Sequence, residues 1–346
     1  MSRLRTNVAF AAASVSAVLV SIAILAAYLS APESGIRLGY LPNVTHAQAL
    51  YGVTTGAYQA VLGSELNLGS RAFNAGPDGI KALLANRVDL LFVGPGPTLS
   101  GLAVVGPDVL RVIAGGASGG ALFVIQPTLN LSSSADYTGK KFASPQLGNT
   151  QDIALKHFLL TQGHRTVDED GDVEVINVPN PNILALFQLR QIDGAWVPEP
   201  WASRLILEAG GKVFVDERSL WPNGRFVTTQ LVTTKRYLDS HRDVVKQFLN
   251  AEVNLTLRLQ NASAADVGII NDAITNVTLN RLTNPTITAA FGNLNLTYDP
   301  IKSSLVTYLA WAQELGLLPA GIATSALYDL SLLNEVLASR GLSPVS

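Results

Sequence analysis

The chain has 346 residues, with 24 Lys and Arg against 26 Asp and Glu, four His and no Cys. That length fits one large or two medium domains, and the lack of thiols excludes disulfides, thiolate metal sites and Cys nucleophiles. A net charge of −2 without any Lys/Arg run leaves no basic footprint for nucleic acid, and 48% hydrophobic content excludes a disordered chain.

The N-terminus carries Arg3 and Arg5, and residues 8–29 then run without a charge. This is about the length of a bilayer-spanning helix, and the preceding arginines predict a cytoplasmic N-terminus. A cleaved signal has a shorter apolar core of about 7–15 residues and a small-x-small site. Residues 1–30 are therefore expected to be a retained signal-anchor, with a cleaved signal as the alternative. Either way the rest of the chain is expected outside the cytoplasm: at the cell surface, membrane-anchored, or secreted if cleaved. Asn-x-Ser/Thr sequons stand at Asn43, Asn130, Asn254, Asn261, Asn276 and Asn295. The last five are expected glycosylation candidates, although Ser/Thr-rich composition alone produces such triplets.

From Ile36 onward short β-prone runs alternate with helical stretches. Strands are predicted at 36–39, 68–73, 89–93 and 110–114, with helices near 46–60, 76–85 and 97–104. A second series follows, with strands at 140–143, 172–178, 194–197 and 212–215 and helices at 149–162, 182–189 and 199–209. This alternation predicts two α/β lobes built on parallel sheets. Two extended apolar runs, 121–125 and 226–233, are expected to link them, and residues 243–339 then read as mainly helical. The expected organisation is 36–120 for the first part of lobe 1, 121–233 for lobe 2 with its two crossover strands, and 234–346 for a helical return to lobe 1. Ligands of open α/β sheets sit beyond the carboxyl ends of strands. Two facing sheets would therefore gather the loops after the strands around one cleft.

Several of those loops carry chemistry. Gly94-Pro95-Gly96-Pro97-Thr98 opens one helix, and Ser144 to Asp152 opens another. Glycine lets backbone approach closely, and free N–H groups at a helix start favour an anion without any Arg. An ordinary capped βα loop is the competing reading of each. Trp196 and Trp201 flank Glu199, which could accept from a ligand amine or simply begin a helix. Trp196 is expected in the pocket and Trp201 in the core. His46 follows the first strand. Four His without an i, i+4 pair make a metal site improbable, and no catalytic motif is present. A Ser/His/Asp set could still assemble in space.

The ordered segments Gly39-Tyr40-Leu41-Pro42-Asn43 with His46, Phe73-Asn74-Ala75-Gly76-Pro77, Val93-Gly94-Pro95, Gly115 to Gly120, Pro145 to Asp152 and Ile192 to Trp201 resemble one family. They are similar to solute-binding proteins of ABC importers, in the nitrate/sulfonate/taurine (aliphatic-sulfonate-binding) group. The resemblance implies a periplasmic-binding-protein-like α/β fold, two lobes with a ligand cleft between them, here preceded by the expected transmembrane helix. It implies no enzyme activity, no cofactor and no metal. It implies a small-molecule anion as ligand, an ABC permease with its ATPase as partner, the membrane as anchor, no nucleic acid and a monomer. The positions that it carries over as ligand-binding are Asn43, His46, Asn74, Gly76, Gly94, Thr98, Ser118, Asn149, Thr150, Trp196 and Glu199. Asn43 is therefore expected to be free of glycan. Glu199 suggests an amine-bearing sulfonate such as taurine, with nitrate or bicarbonate as the alternative, or a surface filament protein as a different class. Bacterial relatives commonly carry a lipid-anchoring Cys, which this chain lacks.

Overall fold

The computed structural model describes residues 35–346. The run 8–29 lies outside the described residues, and among the described residues no helix is long and apolar enough to cross a membrane. The strands are β1 (Gly35–Tyr40), β2 (Asn67–Ala72), β3 (Leu90–Val93), β4 (Leu110–Gly119), β5 (Ala121–Ile125), β6 (Lys141–Ser144), β7 (Glu174–Asn177), β8 (Gly194–Pro198), β9 (Lys212–Asp216), β10 (Val227–Thr234) and β11 (Leu294–Leu296). They form a six-stranded sheet in the order β11-β4-β10-β3-β1-β2 and a five-stranded sheet in the order β7-β6-β8-β5-β9.

In the first sheet β1 and β3 run parallel, and in the second β6 runs parallel to both β7 and β8. The buried Leu-Leu-Phe-Val of β3 has helices to cover both faces, as central parallel strands require. The two extended runs differ from expectation in one respect. Ala121–Ile125 joins the second sheet, antiparallel to β8 and β9. The run 226–233, expected within lobe 2, instead supplies β10, which pairs antiparallel with β3 and β4 of the first sheet. The return crossing thus ends before Val227, because both neighbours of β10 are already in place to complete its hydrogen bonding.

The outward crossing is Gly119-Gly120. Both residues have positive φ, +77° and +73°, and a Cβ on Gly120 would lie 2.9 Å from Leu294 Cβ. Backbone conformation and space both demand glycine here. One apolar core lies between the first sheet and the helices Ala47–Thr54, Arg242–Leu259, Ala264–Thr278 and Ser331–Ala338. A second runs through both halves, joining Leu91 and Val93 to Phe123, Phe142, Trp196 and Tyr308.

Two carboxyl groups are sealed into these cores. Glu252 accepts from the Tyr58 hydroxyl at 2.5 Å, and the Tyr58 ring stacks on Phe248. Glu217, on the return crossing, accepts from Trp196 Nε1 at 2.7 Å, Tyr308 Oη at 2.5 Å and Trp221 Nε1 at 3.4 Å. It therefore ties together a strand of the second half, the crossing, and the helix Lys302–Glu314. Burial pushes Glu252 up to about 8 and Glu217 up to about 7, against the pull of their hydrogen bonds.

These shifts set the direction of the pH response. Unfolded glutamates ionise near their ordinary value of 4.5, whereas the folded ones keep their protons to about 7 and about 8. The folded state binds more protons in that window, so each group weakens the fold as pH rises through it. Buried His46, lowered from 6.5 to about 3, acts oppositely, but only between those two values. Above pH 6.5 the glutamates act without that opposition. The melting temperature is expected to fall between pH 6.5 and 8, and Glu252→Gln to flatten the fall above pH 7. A wild-type profile that rises across this window in a calorimetric pH series contradicts the assignment.

Candidate functional site

The two sheets point the ends of their parallel strands at one another, and a cavity of about 30 Å³ lies between them. By the rule of about 10–15 Å³ per water, it has room for two or three water molecules. From the first half it is lined by Asn43, Thr45 and His46 after β1, Asn74 and Gly76 after β2, Gly94 after β3, and Thr228 and Thr229 at the start of β10. From the second half come Asn149, Thr150 and Gln151 after β6, Asn180 after β7, and Pro198 at the end of β8. Leu41 completes the wall. None of these residues is Lys, Arg, Asp or Glu.

Four helices begin at this wall: Gly76–Leu84, Pro95–Val105, Thr150–Thr161 and Asn180–Gln188. The N-caps of three are Ala75, Gly94 and Pro179, and none makes a side-chain cap. Their first-turn N–H groups have no carbonyl four residues back to bond. Proline at N1 or N2 removes some of these donors. The fourth helix is capped by Asn149, whose Oδ1 accepts from Thr150 N at 2.9 Å. The positive ends of several helix dipoles thus meet at one point; two of the first turns carry an aspartate, Asp78 and Asp152, each ion-paired within its own helix, to Lys81 and Lys156 respectively.

Contact across the cleft is close. Gly96 N donates to Thr150 Oγ1 at 3.2 Å, leaving the Thr150 hydroxyl proton for another acceptor. A Cβ on Gly94 would lie 2.5 Å from Thr150 Oγ1, and one on Gly96 would lie 2.7 Å from Thr150 N. Trp201 Nε1 donates to Asn43 Oδ1 at 3.1 Å, which leaves the Asn43 amide hydrogens as its remaining donors. His46 Nδ1 accepts from Leu41 N at 3.4 Å. Burial alone lowers its pKa to about 3, so the ring is neutral and carries its proton on Nε2.

The second-half loop is fixed from below by Asp152. That buried carboxylate accepts from Ser144 Oγ, Gly148 N, Asn177 Nδ2 and Lys156 Nζ at 2.7 to 3.1 Å. Its four partners come from β6, the loop, β7 and the helix itself. Two of the lining residues carry a buried side-chain oxygen without any hydrogen-bond partner, Asn180 Oδ1 and Thr229 Oγ1.

Of the eleven positions expected to bind ligand, the cavity gathers Asn43, His46, Asn74, Gly76, Gly94, Asn149 and Thr150. Thr98 lies behind it, donating to Gly94 O and accepting from Gln230. Ser118 accepts from Phe226 N on the return crossing. Trp196 is 0% exposed, stacked on Phe123 and bonded to Glu217, so it belongs to the core rather than the pocket. Glu199 is buried, and its oxygens accept from Ser203 N, Ser203 Oγ and Asn293 Nδ2. Leu41, Thr45, Gln151 and Pro198 also line the cavity; they lie in loops expected around the cleft but were not among the named positions, whereas Asn180, Thr228 and Thr229 were not singled out at all. Of those three, Asn180 had a signal, a Pro-Asn-Pro-Asn helix start after a strand like the loops already singled out.

Among the sequon asparagines Asn43 is buried, whereas Asn130, Asn254, Asn261, Asn276 and Asn295 are exposed. A Ser/His/Asp set does assemble elsewhere. His164 Nδ1 lies 2.9 Å from Asp172 Oδ1 and its Nε2 lies 2.9 Å from Ser134 Oγ. Nε2 is closer still, 2.7 Å, to Ser134's own carbonyl oxygen, and the hydroxyl also donates to Gln162 O. The set clamps a surface turn onto the segment that follows the helix Thr150–Thr161.

The NMT1-like family profile matches residues 30–269. The chain is 28% identical over 188 residues to the taurine-binding periplasmic protein of Escherichia coli (strain K12), covering 53% of this chain and 55% of that protein. It thus spans about half the length of the curated relative it matches. The fold is similar to that of the alkanesulfonate-binding protein SsuA from Xanthomonas axonopodis pv. citri bound to MOPS, with a TM-score of 0.71, 18% identity, and coverage of 87% of this chain and 99% of that one. It is also similar to the nitrate-binding protein NrtA from Synechocystis PCC 6803, with a TM-score of 0.74, 15% identity and 89% coverage of both chains.

Asp152→Ala is expected to leave Lys156 buried without its counter-charge and to cost about 3–5 kcal/mol of stability. Asp152→Ala combined with Lys156→Met is expected to recover part of that loss. Denaturant titration of the single and double variants checks this, and a single variant as stable as the parent contradicts it.

Proposed function

The chain belongs to the NMT1-like family, and from that premise we propose that it is the solute-binding component of an ABC importer that captures a small oxyanion in the cleft. The observation that carries this reading is the meeting of uncapped helix starts from both halves on a small cavity lined mainly with neutral polar groups. Such ends bind anions through aligned N–H groups. Monovalent charge suits them better than a highly charged ligand, because no full positive charge is present to neutralise more.

Capture follows from the division of donors. His46, Asn43 and Gly76 belong to one half, and Gln151 and Asn180 to the other. A ligand bonded by both halves favours the state in which they are close, and so shifts the equilibrium toward it. Gly94 and Gly96 permit that approach. The permease and its ATPase, export from the cytoplasm and a tether through residues 8–29 complete the reading. The sulfonate, taurine and nitrate named for its relatives define the ligand class to test.

A thermal-shift series on the chain with nitrate, bicarbonate, methanesulfonate, taurine and sulfate is the direct test. A bound oxyanion at a hundredfold its dissociation constant stabilises the fold by about 2.7 kcal/mol. Thr150→Val is expected to reduce that shift, because it removes both the Gly96 contact and a donor. No shift with any of these anions on folded protein contradicts the proposal.

A further inference from the structure

Resting on the oxyanion reading, the structure points further, to which oxyanion the cleft admits. A zwitterion such as taurine brings a cationic amine, and a buried ammonium needs an anionic partner. Among the described residues no carboxylate lines the cavity. Glu199, next to Pro198 in the chain, is turned toward Ser203 and Asn293, and Asp152, next to Gln151, is held by Ser144, Gly148, Asn177 and Lys156. An alkyl or aromatic tail needs apolar wall, yet among the described residues only Leu41 and Pro198 bring apolar side chains to the cavity. Trp196 is sealed in the core, and Trp201 gives its N–H to Asn43.

Two lining residues each carry a buried oxygen without a partner. Thr229 is 1% exposed and Asn180 is 8% exposed, and Thr229 Oγ1 and Asn180 Oδ1 are both without a hydrogen bond. Thr229 belongs to β10 in the first sheet, and Asn180 follows β7 in the second. Orphaned polar atoms at such depth cost stability unless something supplies the missing bonds. A ligand seated between the halves does so from both sides at once.

We propose that Asn180 and Thr229 set the specificity of the cleft, selecting a compact monovalent oxyanion and rejecting one that carries an amine or an alkyl tail. The Thr229 hydroxyl donates to a ligand oxygen. The Asn180 carboxamide meets the opposite edge of the ligand, and its Oδ1 favours an oxyanion that bears an O–H. Nitrate and bicarbonate share the compact anionic chemistry, and only bicarbonate supplies that hydrogen.

Isothermal titration of the full chain with nitrate, bicarbonate, methanesulfonate, taurine and hexanesulfonate tests this. Nitrate or bicarbonate is expected to bind at least about a hundredfold more tightly than taurine and hexanesulfonate, given the unpaired ammonium and the missing apolar wall. Bicarbonate binding above nitrate assigns the acceptor role to Asn180 Oδ1, and nitrate binding above bicarbonate removes it. Thr229→Val keeps the shape of the side chain and is expected to lower oxyanion affinity by about tenfold at an equal or higher ligand-free melting temperature, since it removes an unpartnered hydroxyl. Asn180→Asp is expected to abolish oxyanion binding and to raise taurine affinity. Taurine or hexanesulfonate binding within tenfold of the best inorganic oxyanion, or an unaltered affinity in Thr229→Val, overturns the specificity proposal and leaves the oxyanion reading intact. Folded protein that binds none of the five overturns the oxyanion reading itself.

Discussion

Gly94 and Gly96 approach Thr150 so closely that no atom fits at their Cβ positions without displacing its neighbours. Both glycines stand at the start of a helix in the first half, and Thr150 starts a helix in the second. Everything characteristic of the cleft depends on that approach. It brings the positive ends of helices on separate sheets to one point, and it shrinks the space between them to about 30 Å³. It also sets Thr150 Oγ1 against Gly96 N, which would otherwise be a buried donor with no acceptor.

Electrostatics then follows from composition. Fixed N–H groups and amide hydrogens in a low-dielectric site attract an anion strongly, because they need no reorganisation and little competing water is present. The neutral His46 adds a donor and no charge. A lysine or arginine in the same place would bind anions more tightly and less selectively, with stronger dependence on salt. The full charges that the region does contain are set behind the wall. Asp152 and Lys156 neutralise one another beneath the Ser144–Thr150 turn, and Glu199 is held by neutral donors.

Much of this was legible in the sequence, and the failures have separate physical causes. Strand-helix alternation exposed the two sheets, and the residues just after strands 36–39, 68–73, 89–93 and 140–143 contributed to the cavity because open sheets present their carboxyl ends to ligands. Trp196 stands near the end of a strand and Glu199 directly follows it, yet neither reaches the cavity. Strand alternation turns Trp196 into the apolar core, where Phe123 and Glu217 hold it. Local hydrogen bonding turns Glu199 onto its own helix at Ser203 and across to Asn293. Thr228 and Thr229 were invisible for the opposite reason. They begin β10, and only its antiparallel pairing with β3, Gln230 opposite Val93, brings the start of one strand beside the end of another. No local pattern encodes that register.

The central claim is that an anion is held here by neutral donors from both halves. A crystal structure of the chain grown with nitrate or bicarbonate tests it most directly. The account predicts the anion between the halves, about 3 Å from first-turn backbone N–H groups such as those of Gly76 and Gln151 and from the Thr229 hydroxyl. An empty cleft with the anion bound only at surface Lys or Arg side chains would contradict it.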